Sequence, residues 1–594
     1  MKKILFFALL ALSSLAWAQN PITYTVGMSE PHTHYFEVTM EVTGQKDKAL
    51  SFTMPTWAPG SYLIREFSKS VEDFAATDGQ GKALEWSRAD KNTWTVQKGR
   101  ADKVIVTYKV YAYELSVRTS FLNASHGYFN GTSLFMYLDG KKDLPATVAI
   151  KPYTGWNMVS TALAPVSGKQ FTYTAPNYDI LVDAPFEIGN HEEWNFQAAG
   201  VPHRVAMYGW GNYEKEQVLT DMGKVVEACT EVFGENPNDE YLFLVHNLTT
   251  GSGGLEHLNS TTLQVNRWTY DGGRYNSFMG LVAHEYFHLW NVKRIRPEAL
   301  GPFDYENENY TYHLWVMEGF TSYYADLLIM RAGLKSEDDF INSYFGTISR
   351  VETQPGTQVL PVAIASFDAW IKAYRPNENS YNTSISYYSK GEVLAGLLDL
   401  MILHETNGEK GLDDVMQVLW NDIYKAKGRG FTDAEILAVF EKVAGINMKD
   451  WFDRYVYGTE TPDYATIFGY AGLNFKDLNE GNSTPEFGAR LGGDMVVSSV
   501  TRGTMAYEGG INAEDEVVAI NGFRVTSDSD VERLLNEVGV GGEITVTVSR
   551  DSMLETLTMT VMNDPSKSFT VEVDPNITEA QRLVLQRWLR KVGQ

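Results

Sequence analysis

Alternation of apolar and polar residues dominates the first third of the chain. HYFEVTMEV, ALSFTMP, KVIVTYKVYAYEL, SLFMYL and ATVAIKP place side chains on opposite faces with period two, and NGT and YLDGKKD separate them as turns. This predicts a β-sandwich over 19–190, with PTWAPGSY as a rigid aromatic loop within it. From 191 to 467 the period changes to 3.6. YEKEQVLTDMGKVVEACTEVF, NSFMGLVAHEYFHLWNV, HLWVMEGFTSYYADLLIMRAG, KGEVLAGLLDLMILHET and TDAEILAVFEKVAG read as helices, YLFLVHNLTT as a strand and GSGGLEH as a turn. A mainly helical domain with a small sheet at one edge is expected there. A third unit, 468–565, runs through a loop at Phe487 to Gly493, the strand MVVSSV, the helix SDVERLLNEV and the strands EITVTVSR and TLTMTV. The tail, 566–594, ends in TEAQRLVLQRWLRKV, whose Leu and Trp stripe predicts a short helix packed on the body. The fold class is therefore multidomain α+β.

The ends and the charge refine this picture. Met1-Lys2-Lys3, the apolar run Ile4 to Leu15 and Ala16-Trp17-Ala18 form a signal peptide pattern over 1–18 with an A-x-A cleavage step. The expected product is exported to the periplasm or the medium, begins near Gln19 and retains no integral membrane span. A formal charge of −25 argues against nucleic acid or an anionic membrane as partner. Cys229 is the only cysteine, so neither a disulfide within the chain nor a thiolate-rich zinc site can form. Within its helical run it reads as a small buried hydrophobe. Any metal must be held by histidine and carboxylate.

HEYFH supplies such ligands. Residues four apart share a helix face, so His284 and His288 can present two imidazoles to one Zn2+ ion, with Glu285 beside the first as general base. The surrounding FMGLVAHEYFHLW is apolar, where three unpartnered polar side chains would be costly. A catalytic zinc site takes three protein ligands, and Glu318, in the apolar LWVMEGFTSYYADLL thirty residues past His288, is the predicted third. His313 is a rival on another helix face, while Glu306 and Glu308 lie in a polar loop. Bound zinc would acidify water and polarise a scissile carbonyl, and a further donor must stabilise the oxyanion.

HEYFHLWNVKRIRP, MEGFTSYYAD, GGLEH and PTWAPGSYLIREF together resemble the glycyl aminopeptidase family of zinc peptidases, in the thermolysin-like (gluzincin) clan and distantly akin to the aminopeptidase N group. The resemblance spans almost the whole chain after the signal segment. It implies a β domain, a thermolysin-like catalytic domain and a C-terminal PDZ domain. It also implies zinc ligation by His284, His288 and Glu318, with Glu285 as base. GGLEH takes the place of the G-x-M-E-N segment of the wider group, which implies that Gly253 and Gly254 lie on a strand pairing with substrate and that Glu256 binds its α-amine. His257 departs from the Asn of that pattern. Tyr387-Tyr388-Ser389-Lys390-Gly391 resembles the Y-x-K-G segment of the oxyanion tyrosine, which implies Tyr388, with Tyr387 as fallback. Lys293, Arg294 and Arg296 are expected to pair with acids.

VVSSVTRGTMAYEGGINAEDEVVAINGFRV resembles a bacterial PDZ run. PDZ domains add a peptide strand and receive its carboxylate on loop N–H groups. Here that loop would be Phe487, Gly488 and Ala489, serving a peptide C-terminus or a partner; the alternative is a packing module shaping access to the cleft. The leading expectation is an aminopeptidase removing N-terminal Gly or Ala from peptides. The alternatives are an endopeptidase or other amidase of the clan, or a peptide-binding scaffold with a vestigial zinc site. The oligomeric state is left open.

Overall fold

The structure, a computed structural model, describes residues 20–590. The predicted signal segment lies outside them. The N-terminal region is built on a seven-stranded sheet whose centre is the antiparallel pair Tyr35–Thr43 and Lys103–Tyr111. Val38, Met40 and Val42 on one strand and Val104, Val106, Tyr108 and Val110 on the other turn inward, as their alternation requires. Ile22–Gly27 joins this sheet antiparallel to Tyr35–Thr43 and parallel to Ala146–Lys151. A four-stranded sheet containing Ala49–Thr53 and Thr93–Gln97 shares its core through Phe52, Trp94 and Val96. The arrangement is a sandwich of two faces over one core.

SLFMYL is not one strand. Gly131–Ser133 forms a 3₁₀ turn capped by Asn130, and only Tyr137–Leu138 pairs. Every residue from Leu134 to Leu138 is buried, so its apolar run reflects depth in the core rather than extended pairing.

The central domain opens with a five-stranded sheet ordered Glu192–Ala198, Val201–Tyr208, Tyr241–Leu248, Ser260–Asn266 and Gly253–Glu256. The three inner strands run parallel, and Tyr241–Leu248 is buried along almost its whole length, which explains its unbroken apolar run. The turn read from the residue pattern of GSGGLEH is corrected here, in favour of the strand that the resemblance implies. Gly253–Glu256 is not part of a turn but the edge strand, antiparallel to Ser260–Asn266 in the register Gly253↔Gln264 to Glu256↔Thr261. Two glycines hid its strand character, since they contribute no side chains to a pattern.

Helices Lys215–Phe233, Gly272–Phe287, Phe320–Arg331 and Tyr387–Glu405 pack behind this sheet into one continuous core. Tyr387–Glu405 is apolar nearly all round and buried nearly all round. Two expected helices are re-bounded. The first ends at Phe287 with His288 as its cap, so LWNV lies in the following turns. The second begins as a π-helical turn, Trp315–Gly319, before Phe320–Arg331.

The third unit has its own core around Val517, Val531, Leu535 and Val546, with a four-stranded sheet and the helix Asp528–Val538. The chain then returns to the central domain. Phe569–Val573 pairs with Leu473–Asp477, and the helix Glu579–Trp588 carries a Thr578–Gln581 capping box. Trp588 is buried and donates its Nε1–H to Tyr323 Oη at 2.9 Å, while Arg590 pairs with Asp413 at 2.6 Å. The tail stripe packs on the body.

Candidate metal centre and active site

The end of helix Gly272–Phe287 and the π turn Trp315–Gly319 meet at one point. Glu318 Oε2 stands 3.4 Å from His284 Nε2 and 3.1 Å from His288 Nε2, and the two imidazole nitrogens are 3.1 Å apart. Ligands about 2.0–2.2 Å from a common tetrahedral centre lie about 3.3–3.6 Å from each other, so this spacing fits one ion held by two imidazoles and a carboxylate. Glu256, Glu285 and His288 form a second group of the same compactness, with donor atoms within 4.8 Å of one another. Three carboxylates thus crowd two imidazoles. Among the described residues no lysine or arginine forms an ion pair with any of the three, and Glu285 Oε2 is buried without a partner. A divalent cation matches that surplus of acceptors.

The electrostatics follow from burial and crowding. Burial, reinforced by Glu256 and Glu318, pushes the Glu285 carboxyl up to about 8 against the opposing charge of His288. Burial likewise raises Glu256. Burial works against ionised Glu318, yet His288 and His284 beside it hold it down at about 2. His288 is pushed up to about 10, because Glu318 outweighs the burial that opposes its charge.

Local structure orients the cluster. His288 donates its Nδ1–H to the Asn291 carbonyl at 2.5 Å, which leaves Nε2 to face Glu318. The Asn291 side-chain amide donates to the carbonyls of Val316 and Met317 at 2.9 and 3.2 Å and to Thr321 Oγ1 at 3.1 Å. Asn291 therefore ties the histidine helix to the π turn that presents Glu318. Such turns free backbone groups from the regular ladder, and here a buried amide satisfies two of them.

Glycines set the close approaches. A Cβ on Gly319 would collide with Gly391, and one on Gly391 with the Trp315 carbonyl, so MEGF and YSKG bring Glu318 and the start of Tyr387–Glu405 together backbone to backbone. The Tyr388 ring lies parallel to His284 at 6.3 Å between centroids, and burial raises its phenol well above the usual range. Tyr387 is turned into the core, its hydroxyl beside Tyr374. A Cβ on Gly254 would strike the Glu285 side chain, so the edge strand lies directly over it.

Predicted site residues thus converge in one cleft: His284, Glu285, His288, Glu318, Glu256, Gly254 and Tyr388. His313 does not join them, since its Nε2 meets Asp433 at 2.8 Å. Lys293 pairs with Asp183 at 2.7 Å, as expected of that basic cluster. Arg294 departs from the expectation: it donates to the carbonyls of Leu258 and Leu289 and to Asn238. Arg296 also departs, lying over the Phe303 ring. Cys229 is buried, and burial raises its thiol.

The family models agree with the geometry. Residues 23–190 match the Peptidase M61 N-terminal domain, 277–394 the M61 glycyl aminopeptidase domain and 469–561 a PDZ domain. An aminopeptidase N family protein from Idiomarina loihiensis is 31% identical, with a TM-score of 0.88 over 96% of this chain and 100% of that one. The chain belongs to the M61 glycyl aminopeptidase family. It is a metallopeptidase of aminopeptidase type. An M1 zinc metallopeptidase from Deinococcus radiodurans, crystallised with a Tyr-Ser-Ala substrate, is similar at 15% identity and a TM-score of 0.45, covering 75% of this chain and 95% of that one. No curated protein matches the sequence.

Three site neighbours carry no signal in the sequence pattern strong enough to place them. The N-terminal loop Trp57 to Tyr62 reaches the catalytic cleft, where a Cβ on Gly60 would come within 2.6 Å of Glu256 Oε1. Gly60 also has φ of 85°, so it serves both the turn and the contact. Tyr374 stands against Tyr62 at 6.2 Å. Asn291 is the third; a lone amide in HLWNV is its one trace in the sequence.

In the PDZ domain the loop of Phe487, Gly488 and Ala489 leads into the short strand Ala489–Leu491. The Gly488 N–H is directed to Glu486 Oε1 at 3.2 Å, and burial with nearby Asp564, Glu532 and Asp528 raises that carboxyl. The domain also touches the catalytic domain. The Asn382 amide donates to the Val500 carbonyl at 2.7 Å and accepts from the Arg502 N–H at 2.8 Å. Among the described residues no helix is long and apolar enough to cross a membrane.

Proposed function

We propose that this protein is a zinc-dependent aminopeptidase that removes N-terminal Gly or Ala from peptides, with a single Zn2+ held by His284, His288 and Glu318. The observation that carries the reading is the convergence of Glu256 and Glu285 with His288 in a second buried group, which shares His288 with the set His284, His288 and Glu318. When bound, zinc supplies Lewis acidity to the scissile carbonyl and acidifies water in the cleft. Glu285 takes a proton from the attacking water and delivers it to the leaving amine. Tyr388 donates its phenol O–H to the carbonyl oxygen as negative charge develops there. Glu256 accepts hydrogen bonds from the free α-amine, and the edge strand with Gly253 and Gly254 aligns the substrate backbone.

A preference for small first residues is supported by the loop around Gly60. Its close contact with Glu256, together with Tyr62 and Tyr374, narrows the space beside the amine site. On this reading 1–18 directs export to the periplasm or medium. Residues 19–190, 191–467 and 468–565 act as β, catalytic and PDZ domains, with 566–594 a clamping tail. The acidic surroundings of Glu486 and its bond to Gly488 favour the PDZ domain as a packing module over a receptor for peptide carboxylates.

A panel of Gly-, Ala-, Leu- and Phe-initiated peptides with free and acetylated N-termini tests the reading. Cleavage should be confined to free Gly and Ala termini. Equal hydrolysis of acetylated peptides would convert it to an endopeptidase, and bound zinc without hydrolysis would leave the scaffold alternative.

A further inference from the structure

Beside the cleft, two arginines of the N-terminal domain stand without carboxylate partners among the described residues. Arg118 lies in the loop between strands Lys103–Tyr111 and Ser120–Leu122. That loop is held firmly. Ser116 Oγ accepts the Arg118 N–H at 3.3 Å, Ser116 and Thr119 share a 2.7 Å hydroxyl contact, and the Val117 carbonyl accepts from Tyr128. The Tyr128 hydroxyl also lies 3.0 Å from Thr262 Oγ1, and the partner of Thr262 across the ladder is Leu255, between Gly254 and Glu256. The guanidinium so anchored makes no ion pair among the described residues, and its Nε is buried without an acceptor.

Arg65 is its neighbour. It follows the Gly60–Tyr62 loop, donates to the Leu63 carbonyl, and lines a cleft of about 800 Å³ with Tyr374, Thr119 and Arg375. Burial and the adjacent charge of Arg118 lower the Arg65 guanidinium to about 10. Like charges held together at half-buried positions are costly; Glu114, which lines the same cleft, offsets Arg65 only in part and forms no ion pair with either arginine among the described residues. Tyr374 bridges the two spaces, touching Tyr62 on the Glu256 side and lining the cleft on the other.

We propose that Arg118 and Arg65 form a subsite for a substrate carboxylate on the leaving-group side of the scissile bond. The assignment rests on the aminopeptidase reading: with the amine held at Glu256 and a first residue that is Gly or Ala, any carboxylate must lie downstream. The enzyme then recognises short peptides by both ends, or peptides with an acidic residue after the cut.

The experiment compares kcat/KM for Gly-Ala-Ala, Gly-Ala-Ala-amide and Gly-Asp-Ala-amide on the zinc-loaded full chain. A substrate bearing a carboxylate should exceed the plain amide by at least about tenfold, equivalent to about 1.4 kcal/mol. A gain for Gly-Ala-Ala assigns the subsite to the C-terminus, and a gain for Gly-Asp-Ala-amide to a side chain. Arg118→Gln and Arg65→Gln should each bring the ratio toward one, and Arg118→Lys should keep part of it. Equal rates for all three substrates in the parent enzyme, or a ratio that survives Arg118→Gln, overturn the proposal. The parent enzyme's ratio decides the matter alone where a variant fails to fold. Acetyl-Gly-Ala-Ala separates the two ideas: its cleavage would refute the aminopeptidase reading, whereas the subsite stands or falls on the carboxylate ratio.

Discussion

Two buried clusters of histidine and glutamate stand out among the described residues, and they are built oppositely. At the junction of the β and catalytic domains, Glu187 Oε1 meets His126 Nδ1 at 2.8 Å and Oε2 meets His246 Nε2 at 2.9 Å, while Gln264 takes His246 Nδ1 at 3.3 Å. Each carboxylate oxygen has its own imidazole, and the network closes on itself. In the catalytic cleft a single oxygen of Glu318 faces two imidazoles, the imidazole nitrogens face each other, and Glu285 keeps an unpaired oxygen. Identical residue types make a structural clamp where their polar atoms are satisfied pairwise, and a metal centre where their acceptors converge on one point.

Substitutions can test that contrast. The largest effect is expected at the proposed base. Glu285→Gln should lower turnover by about 10²–10⁴-fold with zinc content unchanged by elemental analysis; near-normal turnover would remove Glu285 from that role. At the junction the loss should appear in stability instead. Glu187→Ala leaves two buried imidazoles without their acceptor and should destabilise the fold by about 3–5 kcal/mol in denaturant melts, with zinc content per folded molecule retained.

The junction also has a pH signature. Burial opposes the Glu187 charge, but His126 and His246 hold its carboxyl at about 2, below the usual 4.5. A depressed carboxylate stabilises the native state above the unfolded pKa and loses that contribution as pH falls through the folded one. The stability gap between the parent protein and Glu187→Gln should therefore be full above pH 4.5 and shrink toward pH 2. A gap independent of pH in that window would mean that Glu187 carries no differential charge.

Smaller effects should separate neighbours within the cleft. Tyr388→Phe is expected to cost about 10²–10³ in kcat with little change in KM, and Tyr387→Phe far less; the reverse order would move the oxyanion role to Tyr387. Asn291→Ala should weaken zinc binding about 10–100-fold in chelator competition, because it frees the π turn under Glu318 from the side-chain amide that ties it, while the backbone carbonyl that orients His288 remains. Unchanged zinc affinity would reduce Asn291 to a packing role.

Much of the fold and the site is legible in the residue pattern alone. Period-two runs locate the sandwich, and the apolar frames of HEYFH and MEGF mark polar residues placed at a cost. SLFMYL misleads because a fully buried run has no period to read, and Gly253–Glu256 because glycine carries no side-chain signal. Arg294 cannot be read locally: its acceptors, Leu258 and Asn238, come from distant segments.

By itself the sequence determined what short range can determine: the element types, the i, i+4 pairing of His284 and His288 on one helix face, and the absence of thiolate ligands. Only the tertiary structure decided which carboxylate completes the cluster, which of two adjacent tyrosines lies against His284, and that Gly60 of the first domain reaches Glu256 of the second. The physical reason is separation along the chain. Helical and strand periods act over a few residues, whereas these contacts join segments from 30 to nearly 200 residues apart and exist only once the glycines at 60, 254, 319 and 391 allow the backbones to close.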